Sequence, residues 1–120
     1  MRTLPLLFCT LTLLAVTHAK GQDLNATASV TKLMFENSKM KVTEFMAEPG
    51  KDICGTGKHG HPAHLTIIVT DAKIKLIKAD GRVIETQVAA GSSFWSEAET
   101  HQVINNGDKP VKVYIVEPKQ

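Results

Sequence analysis

From Val30 to the end of the chain, apolar residues recur in short runs with the period-two rhythm of strands. The runs predict strands over Val30–Glu36, Met40–Ala47, Leu65–Thr70, Lys73–Lys78, Arg82–Val88, Ser93–Ser96, His101–Ile104 and Val111–Val116. Pro49-Gly50, Asp80-Gly81, Ala90-Gly91 and Asn105-Asn106-Gly107-Asp108 punctuate them as turns, and Pro118 closes the last. Asp80-Gly81 is a hairpin signal. Residues 51–63 read as one long loop rich in glycine. No stretch after residue 19 keeps helical three-and-four spacing over about 11 residues. Short strands with regular turn signals predict an all-β sandwich or barrel. Val111-Lys112-Val113-Tyr114-Ile115-Val116 is apolar on both faces, so more than one surface is covered, and a homodimer partner is a plausible cover.

The first 19 residues follow another logic. MRTLPLLFCTLTLLAVTHA has one basic residue, Arg2, then an apolar run from Leu4 to Val16. Thr17 and Ala19 are small residues at the spacing of a signal-peptidase site, which predicts cleavage after Ala19. The run is shorter than the about 20 residues of a membrane span. A cleaved signal peptide implies a secreted or periplasmic protein with no stable membrane insertion; the alternative is an N-terminal anchor. Residues 20–29 read as a flexible leader, with a glycosylation sequon at Asn25-Ala26-Thr27. Residues 30–120 are left as one β-barrel domain, about the size of a single core.

Charge narrows the partners. The 120-residue chain carries a formal net charge of +2 and no lysine run or basic stripe, so nucleic acid is not an expected partner. Once residues 1–19 are removed, Cys54 is the only cysteine, and an intramolecular disulfide is impossible. Cys54 is then an inert buried thiol, a metal neighbour, a redox thiol or an intermolecular bridge.

The chemistry concentrates in GKHGHPAHLTIIVTD, Gly57 to Asp71. His59 and His61, two apart on extended backbone, point the same way and can grip one ion. His64 opens a strand and shares its face with Thr66, Ile68 and Thr70. His101 comes from a later strand. Imidazole nitrogen suits Fe, Ni, Cu and Zn. The candidate metal ligands are His59, His61, His64 and His101, and the expected cofactor is a divalent Fe, Mn, Ni, Cu or Zn. Glu97 and Glu99 either orient an imidazole, act as a general base or form a solvated turn. Of the neighbours Phe94 and Trp95, one faces inward and the other outward.

GKHGHPAHLTIIV and GSSFWSEAETHQVINNGDKPVKVYIVE resemble the two motifs of the cupin superfamily, over roughly Met40 to Glu117. The resemblance implies a double-stranded β-helix of the jelly-roll kind holding a divalent metal in its barrel. The family's first motif supplies HxH and then a glutamate; its second supplies a histidine with an asparagine four positions on. His59-Gly60-His61, His101 and Asn105 match. The glutamate positions fall on Leu65 and Thr66, which are not carboxylates. His64 either reaches the metal instead or points past it into the pocket. The HxHPxH form is similar to that of small cupins labelled as β-alanine-degradation type. Three or four neutral imidazoles around a divalent ion leave the site at a charge of +2, more attractive to anions than the family's usual +1. The resemblance implies a metal-dependent dioxygenase, lyase or isomerase acting on a small molecule, or else a non-enzymatic cupin that binds a small ligand.

Overall fold

The computed structural model describes residues 29–120, so the signal segment, its cleavage point, the sequon and residues 20–28 of the leader lie outside the described residues. The described residues form nine strands and no helix. These are β1 (Val30–Glu36), β2 (Met40–Ala47), β3 (His59–His61), β4 (His64–Ile68), β5 (Ala72–Lys78), β6 (Val83–Val88), β7 (Ser93–Ser96), β8 (Glu99–Asn105) and β9 (Val111–Pro118). They pair antiparallel in two sheets, one ordered β1-β2-β9-β4-β7 and the other β3-β8-β5-β6. This is an all-β barrel, as the strand pattern predicts, in the jelly-roll form that the resemblance implies. The eight predicted strands are present with ends shifted by a few residues. The ninth, β3, lies inside the predicted loop.

Alternation decides which side chains meet in the middle. In β4 the even positions His64, Thr66 and Ile68 are buried, and in β9 the odd positions Val111, Val113 and Ile115. The register Thr66↔Ile115 and Ile68↔Val113 puts these residues side by side on the inner face. Ala47, Ile53, Cys54 and Ala72 complete the buried cluster. The β5–β6 hairpin turns at Gly81, whose φ of 86° suits a residue without Cβ.

The outer face of the five-stranded sheet is also apolar. Phe35 pairs with Val42, Val42 with Val116, Val116 with Leu65, and Leu65 with Trp95. One row of five apolar side chains therefore crosses every strand. Its ends are open to solvent, Phe35 at 51% and Trp95 at 52% exposure.

The turn into β9 depends on a polar residue in the core. Asn105 is fully buried, and its amide donates to the Ala47 carbonyl (3.0 Å) and the Lys109 carbonyl (2.7 Å). Its side-chain oxygen accepts from the Gly107 amide at 3.0 Å. Asn105→Ala leaves three backbone groups unpartnered, and each costs roughly 1–3 kcal/mol where water does not replace the lost bond. The expected loss is about 2–4 kcal/mol, read as a lower urea midpoint at unchanged slope.

Candidate metal centre

The site begins with a three-residue strand. Pairing of β3 with β8 sets His59 directly opposite His101 and His61 opposite Glu99. His59 and His61 are two apart on one strand, so their rings project to the same side. The ring centroids are 4.7 Å apart for His59 and His61, 5.2 Å for His59 and His101, and 5.4 Å for His61 and His101.

The loop between β2 and β3 delivers the fourth group. It is laced to β8 by Ile53 N–H to the Val103 carbonyl (2.8 Å) and Asn105 N–H to the Lys51 carbonyl (2.9 Å). Asp52 anchors it further, accepting from Gln102 at 2.9 Å and from the Gly57 amide at 2.6 Å. Cys54 is thereby held inward, its Sγ 3.3 Å from His59 Nε2 and 3.6 Å from His101 Nε2. Cys54, His59, His61 and His101 each offer one ligand atom, and these atoms all lie within 4.8 Å of one another.

The imidazoles are oriented from behind. His59 Nδ1–H donates to the Gly57 carbonyl at 2.8 Å, which leaves Nε2 bare toward Cys54. His101 Nδ1–H donates to Glu99 Oε1 at 2.9 Å, and Lys78 grips the other Glu99 oxygen at 2.6 Å. This is the carboxylate–histidine arrangement that fixes tautomer and ring direction at metal sites. His61 stands between two acceptors, the Cys54 carbonyl 3.1 Å from Nε2 and Glu117 3.6 Å from Nδ1. The tautomer with its proton toward Glu117 frees Nε2.

Burial sets the protonation of the cluster. Burial lowers the His61 pKa, and the neighbouring imidazoles lower it further. Burial lowers that of His101 too, against the pull of Glu99. Lys78 holds the Glu99 carboxyl below its usual range. Burial pushes the Cys54 thiol up to about 12, with the Asp52 and Glu99 charges adding to the effect. At neutral pH Cys54 is therefore a thiol, and His61 and His101 are neutral.

Of the four expected ligands, the structure gathers His59, His61 and His101 with Cys54, and His64 stands beside them. The His64 ring is 5.1 Å from that of His61, but it belongs to β4 in the other sheet. Glu99 orients His101, whereas Glu97 accepts from the Trp95 indole at 2.8 Å on the exterior. Phe94 faces inward, opposite Thr66, and Trp95 outward. Beside the cluster lies a chamber of about 100 Å³ with mostly apolar walls. Cys54, His64, Glu99 and His101 line it, with Thr66 and Ser96.

This two-sheet barrel has solved counterparts. A cupin domain from Bordetella pertussis Tohama I superposes with a TM-score of 0.70 at 26% identity, over 78% of this chain and 95% of that one. The chain has the cupin fold. A double-stranded β-helix protein from Klebsiella pneumoniae shares it at TM-score 0.61 and 21% identity, over 79% of this chain and 81% of that one. So does a polyketide cyclase from Streptomyces resistomycificus, at TM-score 0.61 and 18% identity, over 78% and 67%. No protein-family model and no curated protein sequence matches the chain. Cupins hold metals and small molecules inside such barrels, and the His₃Cys cluster fits this use: four convergent donors, at least two of them oriented by hydrogen bonds from behind.

One glycine makes room for this cluster. A Cβ on Gly55 would stand 2.8 Å from His59 Cγ, and its φ of 152° suits glycine. Gly55→Ala is expected to push the His59 ring aside and weaken metal binding by about 10-fold or more, the scale of a lost supporting contact. Competition with a chromophoric chelator measures it; unchanged affinity refutes it.

Proposed function

We propose that this cupin is exported by residues 1–19 and binds a small molecule beside a divalent transition metal held by Cys54, His59, His61 and His101. The observation that carries the proposal is the convergence of four donor atoms within 4.8 Å at the edge of a mostly apolar chamber. The cysteine also answers the missing glutamate. A coordinated thiol is deprotonated, so three neutral imidazoles and one thiolate bring a divalent ion to a net +1, the charge that a carboxylate would have produced. A soft thiolate favours Fe, Ni, Cu or Zn over Mn.

When bound, the metal supplies Lewis-acid polarisation of a substrate oxygen and, for iron or copper, redox chemistry. The chain's own residues do the rest. Gly57 and Glu99 keep the His59 and His101 donors aimed, Lys78 holds Glu99 ionised, and the apolar walls limit water. Four protein donors fill a tetrahedral ion and leave room on a six-coordinate one. The enzymatic reading, a dioxygenase, lyase or isomerase, therefore goes with Fe or Ni. A non-enzymatic small-ligand cupin goes with Zn. It is supported by the engagement of both nearby carboxylates, Glu99 with Lys78 and His101, and Glu97 with Trp95.

Metal content of residues 20–120, purified without a histidine tag, tests the centre. About one ion per chain is expected, and none in His59→Ala/His61→Ala. An empty wild-type protein after reconstitution with each metal sinks the reading. Ion binding at pH 7 is also expected to release about one proton, because the Cys54 thiol must ionise while His61 and His101 are already neutral. Affinity then rises about tenfold per pH unit until the thiol range near 12 is approached. Cys54→Ser abolishes the release if the thiol is the source, as calorimetry in two buffers reads directly.

The row from Phe35 to Trp95 supports a homodimer. A two-fold axis through that face lays the row against itself, and a continuous apolar stripe is more than isolated exposed residues on a monomer surface. Light scattering is expected to give twice the chain mass, and the single-chain mass in Phe35→Lys/Trp95→Lys. A monomeric wild type counts against it.

A further inference from the structure

One buried histidine has no place in the ligand set. His64 is 2% exposed and opens β4, facing inward beside its cross-strand partner Ser96. Its Nδ1 lies 2.7 Å from the Pro62 carbonyl. A carbonyl can only accept, so Nδ1 carries a proton, and in the neutral ring Nε2 is the bare nitrogen. Among the described residues the hydrogen bond to Pro62 is the one His64 makes, and no fully enclosed side-chain nitrogen or oxygen lacks a partner. Nε2 therefore keeps open contact, and the space that His64 lines is the chamber. Around it the walls are aliphatic, including Ile68, Val113 and Ile115.

We propose that His64 is a ligand-selecting residue and not a metal ligand: its Nε2 accepts a hydrogen bond from a small neutral molecule that carries an O–H or N–H on an apolar body. Three observations converge on this. The Pro62 carbonyl makes the neutral His64 an acceptor, so a ligand that offers only acceptors finds no partner at His64 and is left to the Thr66 and Ser96 hydroxyls. The aliphatic walls reward an apolar body and penalise a charge that they cannot solvate. The volume of about 100 Å³ sets the size. A dry cavity of about 150 Å³ accommodates benzene, so the part of the ligand that the chamber takes in is smaller than a six-membered aromatic ring. The inference deepens the small-molecule reading above and rests on it for the chamber's use. The acceptor state of His64 is set by Pro62 and does not depend on the metal.

The test uses two probes of nearly equal shape, 2-propanol and acetone, on the zinc-loaded and the metal-free protein. Nitrogen-15 NMR of the imidazoles follows Nε2 of His64, and elemental analysis follows zinc. 2-Propanol is expected to shift the His64 Nε2 resonance and to bind about three- to tenfold more tightly than acetone, the range of one net hydrogen bond. His64→Phe is expected to keep its zinc and lose the preference. Equal binding of the two probes, no binding of 2-propanol, or an unmoved Nε2 resonance overturns the proposal. So does loss of zinc from a folded His64→Phe protein, which would make His64 a ligand. If the wild type takes up no zinc, the metal reading fails, and the titration of the metal-free protein still decides the role of His64. If His64→Phe does not fold, the wild-type titration decides alone.

Discussion

A neutral imidazole can offer one lone pair, and only if its proton is held at the other nitrogen. The centre of this protein is arranged around that constraint. His59 gives its Nδ1 proton to Gly57, His64 to Pro62 and His101 to Glu99. Two of the three acceptors are backbone carbonyls two residues before the histidine, and the third is a carboxylate two residues before it. Local chain geometry thus sets the tautomer. The bare nitrogens of His59 and His101 point at Cys54, and that of His64 opens on the chamber. With the proton on the other nitrogen, His59 or His101 would present an N–H toward Cys54, and an N–H cannot ligate an ion.

The two sheets divide the labour. The four-stranded sheet brings β3 and β8 together and so supplies His59, His61, His101 and the supporting Glu99. The five-stranded sheet supplies His64, Thr66 and the aliphatic residues of β9. The histidines of the His₃Cys cluster and His64 therefore come from opposite sheets. The spacing between the sheets is set by packing among residues such as Ile68, Ala72 and Val113, which have no chemistry of their own.

Much of this was legible in the chain. Short apolar runs bounded by turn signals located eight strands, and alternation named the inward face where one face is buried, as in β4 and β9. Neither could find β3, a three-residue strand with Gly60 at its centre, because two side chains and a glycine make no pattern. His59, His61 and His101 were recognisable from their motifs and spacing. Cys54 was harder. It lies in a loop, and no periodicity links a loop cysteine to strand histidines 5 and 47 residues away. Its position depends on the Asp52 anchor and on the bare Cα of Gly55, both tertiary facts. Glu97 and Glu99 looked equivalent in sequence, being four and two residues before His101. Only Glu99 lies within β8, in register to reach the ring, while Glu97 sits just before the strand and turns to the indole. His64 was open between ligand and pocket residue, because strand parity sets the face of a side chain but not its partner across the barrel.

The outward turn of Trp95 has an optical consequence. It is the only tryptophan in the chain, and it stands on the far side of the sheet from the chamber, half open to solvent with its N–H on Glu97. Indole emission depends on the polarity around the ring. The intrinsic fluorescence of this protein will therefore record what covers the barrel from outside, and it will be nearly blind to what enters it.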